Sequence, residues 1–460
     1  MFSEKELGEV LDLALARGGD FSDIFLERKT FTAITLEDRR IERVESGHEA
    51  GAGVRVIDGE GTGYAYTSDL SRRGLEEAAR LASRVARAGR AIPPQALRNE
   101  PVRPYSVELM PAGVAMDDKV EAVKLTERAA RDFDPRVRQV KVMYSDVVQE
   151  VTMANSHGRL VEDRRVRTRL AAQAVAAEGE LTQTGMEFHG HHGGFELFRE
   201  HPPADIGREA ARRAVLMLEA RPAPAGKMAV VMAGEAGGTM IHEACGHGLE
   251  GDLALRGLSV YAGRVGEKVA SELVSVVDDG SLPGYYGSSA CDDEGTPSQR
   301  TVLIEKGILK GYMLDRLMAR KLGVQSTGNG RRESYQHKPI VRMTNTYVQP
   351  GDTPPGEIVK ETRNGLLVRR MGGGQVNPTN GDFVFQVTEG YLIRDGEVGP
   401  AVRGATLTGN GPEALAAVDM VGTDLGFTIG TCGKDGQGVP VSDGMPTLRI
   451  PELVVGGILE

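Results

Sequence analysis

The sequence predicts an α+β fold: two small helix–antiparallel-sheet–helix units, then a β-rich C-terminal domain that carries a metal-site helix. Three observations predict it. The order helix, strands, helix occurs twice before residue 222. From Lys227 onward the composition shifts to glycine, threonine and valine. Sixty glycines and no tryptophan in 460 residues describe a turn-rich chain, not a helical bundle. This length suggests about three domains and is ample for real cores. The expected boundaries are 1–100, 101–222 and 223–460.

The first unit opens with a helix. Ser3 and Glu6 make a capping box; Leu7, Val10, Leu11 and Ala14 form one apolar stripe, and Gly18-Gly19 ends it. Strand-like runs follow at 23–28, 32–36, 53–57 and 63–66. A second helix shows Leu75, Ala78, Ala79, Ala82, Val85 and Ala86 on one face. Residues 90–115, rich in proline, read as a linker.

The second unit repeats the plan. A helix from about Met116 to Phe133 precedes Pro135. Strand runs follow, Val140–Tyr144 and a longer one through Val166, Thr168, Leu170, Ala172 and Ala174. A helix bearing Ala211, Ala214, Val215 and Leu218 closes it. Between them, His189-Gly190-His191-His192 runs into Gly193-Gly194 and reads as a solvated hairpin, since no general base is near it in sequence.

In the third unit, Met228–Met232 is a buried strand leading into the metal-site helix. Short strands separated by Gly/Asn/Asp turns come after it, with Asp395-Gly396 a hairpin turn. Gly372-Gly373-Gly374-Gln375 is glycine-rich but lacks the phosphate-loop pattern. Arg331-Arg332 reads either as a contact to a substrate's carboxylate or backbone carbonyls, or as a solvated turn.

Composition narrows the function classes. A net charge of -10 with 55 basic and 65 acidic residues intermixed gives no support to a nucleic-acid or membrane-surface role. Three scattered cysteines make no disulfide framework and suit a reducing cytoplasm. The N-terminus does not read as a signal peptide, and no apolar run approaches the ~18 residues of a membrane span.

The chemistry concentrates in Met240-Ile241-His242-Glu243-Ala244-Cys245-Gly246-His247. His-Glu is followed by three residues and a second His, one more than in the familiar zinc-protease helix. On a regular helix i and i+4 lie about 40° apart, but i and i+5 about 140°. Both imidazoles reach one metal only if the helix widens into a π-turn or ends at His247, and Gly246 permits either. Glu243 then lies where a carboxylate can take a proton from the attacking water. A catalytic metal wants a third protein ligand. Cys245 would crowd the imidazoles, and acids surround Cys291. Cys432 is the better candidate: its flanking glycines allow close backbone approach, and Lys434 favours the thiolate.

At these residues the sequence resembles the TldD/PmbA metalloproteases, in their TldD-type form. The resemblance continues through Glu250-Gly251-Asp252, Thr327-Gly328-Asn329-Gly330-Arg331-Arg332 and Arg342-Met343-Thr344-Asn345-Thr346-Tyr347. Gly372-Gly373-Gly374-Gln375-Val376 and Thr431-Cys432-Gly433-Lys434 complete it. It implies one zinc ion per chain, held by His242, His247 and Cys432, with Glu243 catalytic. It also implies proteolysis of unfolded or leader-peptide segments by a two-chain assembly, a homodimer or a heterodimer with a PmbA-like (TldE-type) relative. PmbA-type chains lack the metal motif; this chain keeps all of it. Two rivals remain: a non-enzymatic peptide-binding subunit with structural zinc, and a small-molecule amidohydrolase.

Overall fold

The computed structural model describes residues 2–86, 93–103 and 105–457. It is α+β, as the sequence predicts. The first helix, Glu4–Leu15, starts at the expected box: the Ser3 N–H donates to Glu6 Oε2 at 2.8 Å, and Glu6 N–H to Ser3 Oγ at 3.3 Å. The second helix, Arg72–Ala82, stops short of Val85, which lies in a 3₁₀ turn.

The strands are longer than expected. Runs 23–28 and 32–36 are one strand, Phe21–Glu37, and the next is Arg40–Asp58. Lys29 and Thr30 break the apolar pattern, yet the ladder continues through them because Glu49 and His48 lie opposite on one side, and Gln149 and Val148 on the other. Pairing on both sides supplies the backbone partners that hydrophobic alternation does not announce.

Strands from both N-terminal units share one sheet. Its order runs Gly61–Thr67, Arg40–Asp58, Phe21–Glu37, Val137–Asn155, Arg159–Glu178, with Leu181–His191 beyond. The joint is the antiparallel pairing of Phe21–Glu37 with Val137–Asn155. Two helix pairs cover one face. Leu7, Leu11, Leu75 and Ala79 pack on Ala52, Val54 and Val56. Helices Met116–Arg131 and Pro203–Glu219 place Val123, Ala130, Ala211 and Ala214 on Ile34, Val142 and Leu170. Of the expected linker, residues 90–92 and 104 lie outside the described residues. Within the rest, Arg98–Asn99 pairs in parallel with Arg159–Leu160.

The other face of this sheet rests on the C-terminal domain. Phe25, Val151, Met153 and Val161 cluster with Cys291 and Tyr335. Buried ions cross the same contact: Arg55 pairs with Asp23 and reaches Glu294 at 2.6 Å, and Arg165 pairs with Asp163 at 3.0 Å and with Asp293. Removing one member strands the others in a low-dielectric interior. Arg55→Ala is therefore expected to cost about 3–5 kcal/mol, read as a lowered urea midpoint. An unchanged midpoint would mean that the two units do not depend on this contact.

The C-terminal domain has two larger sheets around one core. In the eight-stranded sheet, Gly226–Met232 runs parallel to Asn364–Val376. Asp395 and Gly396, at φ 50° and 79°, make the expected hairpin turn. Gly372–Gly374 lie in a strand, not a phosphate loop. A Cβ on Gly374 would sit 1.8 Å from the Phe385 ring, so close packing accounts for that glycine. The six-stranded sheet ends in the hairpin Gly426–Lys434 and Gln437–Met445. No helix among the described residues is long and apolar enough to cross a membrane.

Candidate metal centre

Strand Gly226–Met232 delivers the chain into a single helical turn, Thr239–Ile241, which widens into a π-turn at His242–Gly246 and tightens into a 3₁₀ turn at His247–Leu249. The His247 N–H donates to His242 O, five residues back. The deformation demanded by the extra residue between the histidines is thus present, at the place expected. Gly246 serves packing as well: a Cβ there would lie 2.3 Å from Met343 Sδ.

Cys432 comes to this turn from the edge hairpin. Its Sγ lies 3.2 Å from His242 Nε2 and 3.4 Å from His247 Nε2. The three donor atoms lie within 4.8 Å of one another, the only such group of His, Cys, Asp or Glu among the described residues. Each imidazole turns its other nitrogen to a carboxylate: His242 Nδ1 to Asp443 Oδ1 at 2.7 Å, and His247 Nδ1 to Glu250 Oε2 at 3.0 Å. Such partners fix the tautomer and aim Nε2 inward.

The charges follow from this geometry. Burial opposes the Cys432 thiolate, but hydrogen bonds from both histidines prevail and bring its pKa down to about 5. Burial likewise opposes protonated His247; Glu250 and Cys432 prevail and raise it to about 9. Against the same burial, Asp443 and Cys432 raise His242 well above the ordinary range. The centre is therefore a thiolate balanced by positive charge, a balance that a metal cation can take over. Its donors, two imidazoles and a thiolate, fit a borderline-soft divalent ion.

Glu243 stands half-buried beside this group, with no hydrogen-bond partner among the described residues. Burial raises its pKa, opposed by His242 and His247. Proton transfer is best served by a pKa nearer neutrality than an exposed glutamate has.

Three expectations need correction. Lys434 does not act on the thiolate; its Nζ donates to Glu250 at 3.0 Å, Asp252 at 2.6 Å and Val341 O at 3.0 Å. Arg331 and Arg332 are buried, not a solvated turn, because protein carbonyls and Asp293 take up their N–H groups. The His189 group is no solvated hairpin. His192 is 2% exposed with Nδ1 on Ser288 O, and His189 stacks 3.8 Å from His201 and meets Glu187 at 2.9 Å.

Sequence reasoning missed Asp443 and the role of Glu250. Glu250 carried a usable signal, since a residue three beyond His247 is a helical neighbour. Asp443 carried none: it lies 201 residues from His242, and strand pairing brings it there, opposite Thr428 on one side and Thr346 on the other.

The fold and the site define an α+β protein with a buried His–His–Cys centre on a π-turn, the arrangement expected of a metallopeptidase. Models of the PmbA/TldA metallopeptidase match along the chain: domain 1 at 22–86, the central domain at 110–218 and the C-terminal domain at 225–457. The chain belongs to this family, as the motif resemblance implied. A Haemophilus influenzae protein named metalloprotease TldD homolog is 38% identical, over 99% of this chain and 96% of its own. A Methanothermobacter thermautotrophicus protein named metalloprotease is 36% identical, over 95% and 96%. Two solved structures share the fold. One, from Thermotoga maritima and described as a proposed modulator of a DNA gyrase, has a TM-score of 0.82 at 23% identity, covering 98% of this chain and 100% of its own. TldE from Thermococcus kodakarensis has 0.77 at 21%, with the same coverage.

Proposed function

We propose that this chain is a zinc-dependent metalloprotease that hydrolyses peptide bonds in unfolded polypeptides or leader-peptide segments. The observation that carries the reading is the convergence of His242 Nε2, His247 Nε2 and Cys432 Sγ beside an unpartnered Glu243 carboxylate. His242, His247 and Cys432 would hold one zinc ion. When bound, that ion supplies Lewis acidity at the scissile carbonyl. Glu243 takes a proton from the attacking water and delivers it to the leaving amine. Asp443 and Glu250 keep both imidazoles aimed. A structural zinc would ordinarily be closed by four ligands; three donors with an acid–base group beside them favour catalysis. The relative from Saccharolobus solfataricus, 28% identical, is named a zinc metalloprotease TldD homolog.

Access to such a site must be limited in a cytoplasmic enzyme, and the cytoplasm is where we assign it. Residues 1–100 and 101–222, which we treat as two α+β domains, wall off the site together with a second chain, either a copy of this one or a TldE-type relative. Strand Gly426–Lys434 pairs on one side only among the described strands, with Gln437–Met445. Its open edge suits an extended peptide added as a further strand. The test incubates the protein, with and without a TldE-type chain, with one polypeptide in folded and denatured forms, while light scattering reports assembly. A dimer or hetero-assembly whose cleavage tracks the denatured form is expected. A stable monomer that cuts the folded form equally fast would overturn the reading.

A further inference from the structure

Strand Arg159–Glu178 carries Arg165, Arg167 and Arg169 at two-residue spacing, hence on one face. That face looks toward the C-terminal domain. Arg165 is neutralised by Asp163 and Asp293. Its two neighbours are not. Arg167 donates Nε to Tyr286 O at 2.8 Å and Nη2 to Ser288 O at 2.9 Å. Arg169 lies 5.8 Å from the Phe188 ring centroid. From the opposite side comes Arg331, which donates to Met343 O and, at 2.7 Å, to Pro440 O. Among the described residues, none of these three guanidinium groups has a carboxylate within ion-pair distance.

Carbonyl dipoles solvate a guanidinium without neutralising it, and buried charges are ordinarily paired. The strain is visible in the charges. Burial, then Arg167, brings Arg331 down to about 9, and burial, then Arg165, brings Arg167 down to about 10. Asp293 acts on Arg331 and Arg167 from a distance, but it is engaged by Arg165 and Arg332, so the three cations have no anion in direct contact.

Their place is across the Cys432 strand from the reaction centre, since Ile429 and Thr431 alternate with Cys432 and face the other side of the sheet. Pro440, which Arg331 grips, lies opposite Thr431, the residue before Cys432. A Cβ on Gly190 would lie 2.6 Å from Ile429 Cδ1 and 3.2 Å from Arg169 Cβ, so Arg169 flanks Ile429. Ile429 precedes Cys432 by three residues, about 10 Å of extended strand. Thr431 is exposed, and Arg167 and Arg169 are partly so. A peptide laid along this strand passes the arginines about three residues from the bond being cut.

We propose that Arg167 and Arg169, with buried Arg331 adding positive charge behind them, form a carboxylate-binding subsite that selects peptide substrates with an acidic group a few residues from the scissile bond. The inference rests on the peptidase reading above and adds to it the chemistry of the preferred substrate. The carboxylate comes from an Asp or Glu side chain or from the peptide C-terminus, and guanidinium groups suit both.

The test measures binding apart from cleavage. The zinc-loaded Glu243→Gln protein is titrated into short fluorescent peptides that differ at one group: an internal Glu against Gln, and a free C-terminus against its amide. At low salt, a charged form in at least one pair should bind about tenfold more tightly than its neutral twin. The pair that shows the difference identifies the source of the carboxylate. The preference should shrink in Arg169→Gln, which loses no hydrogen bond, and vanish in the Arg167→Gln/Arg169→Gln double variant, with melting curves verifying the fold. Equal binding within both pairs overturns the subsite, as does a preference that survives undiminished in Arg169→Gln. Because the readout needs no turnover, its failure is distinct from failure of the wild-type protein to cleave the same peptides.

Discussion

Cys432→Ala is expected to lower zinc affinity by more than about 100-fold, since even the partners behind metal ligands are worth about 10–100-fold. The Sγ lies 3.2 and 3.4 Å from the two Nε2 atoms, and Cys432 is the thiol whose surroundings favour the thiolate. Cys245 and Cys291 make the controls. Cys245 is buried in the core with its thiol on Ile241 O, and burial lifts its pKa to about 12. Burial and nearby acids also raise Cys291, against the pull of Arg165. Alanine at either position should leave zinc content intact. Metal analysis of the three purified variants decides it: full zinc in the Cys432 variant removes it as a ligand. Chelation should also lower the melting temperature of the wild-type protein, because the metal would tie positions 190 residues apart.

The parts of this fold written in local pattern were readable from the sequence. The capping box at Ser3, the apolar stripes of the helices and the Asp395-Gly396 turn involve neighbours along the chain. The strand lengths were not readable, because Lys29, Thr30 and the stretch from Arg40 to Ala50 owe their conformation to partners on other strands. The same division runs through the site. The odd spacing of His242 and His247 announced a deformed helix, and the structure contains it. Lys434 looked like a partner for the thiolate because it is two residues from Cys432, and the solvated-turn alternative for Arg331-Arg332 came from their glycine-rich surroundings. In the structure, sheet carbonyls and buried acids surround them. Whether a charge is solvated or clamped depends on contacts made far away in the chain.

Glu243→Gln separates binding from chemistry more sharply than any other substitution here. Glutamine keeps the size and shape of the side chain, and Glu243 holds no hydrogen bond among the described residues whose loss would disturb the fold. Nor does the carboxylate belong to the donor group of His242, His247 and Cys432. Zinc content and melting temperature should therefore match the wild-type protein. Cleavage of a denatured polypeptide should fall by about 10²–10⁴-fold, the usual worth of a positioned general base. The loss should appear in kcat and kcat/KM alike, because proton transfer is needed only in the transition state. Loss of metal together with activity would make Glu243 a ligand or a support for the π-turn. Unchanged cleavage would leave the water to be activated without it, and the reaction would need another base among the residues around the centre.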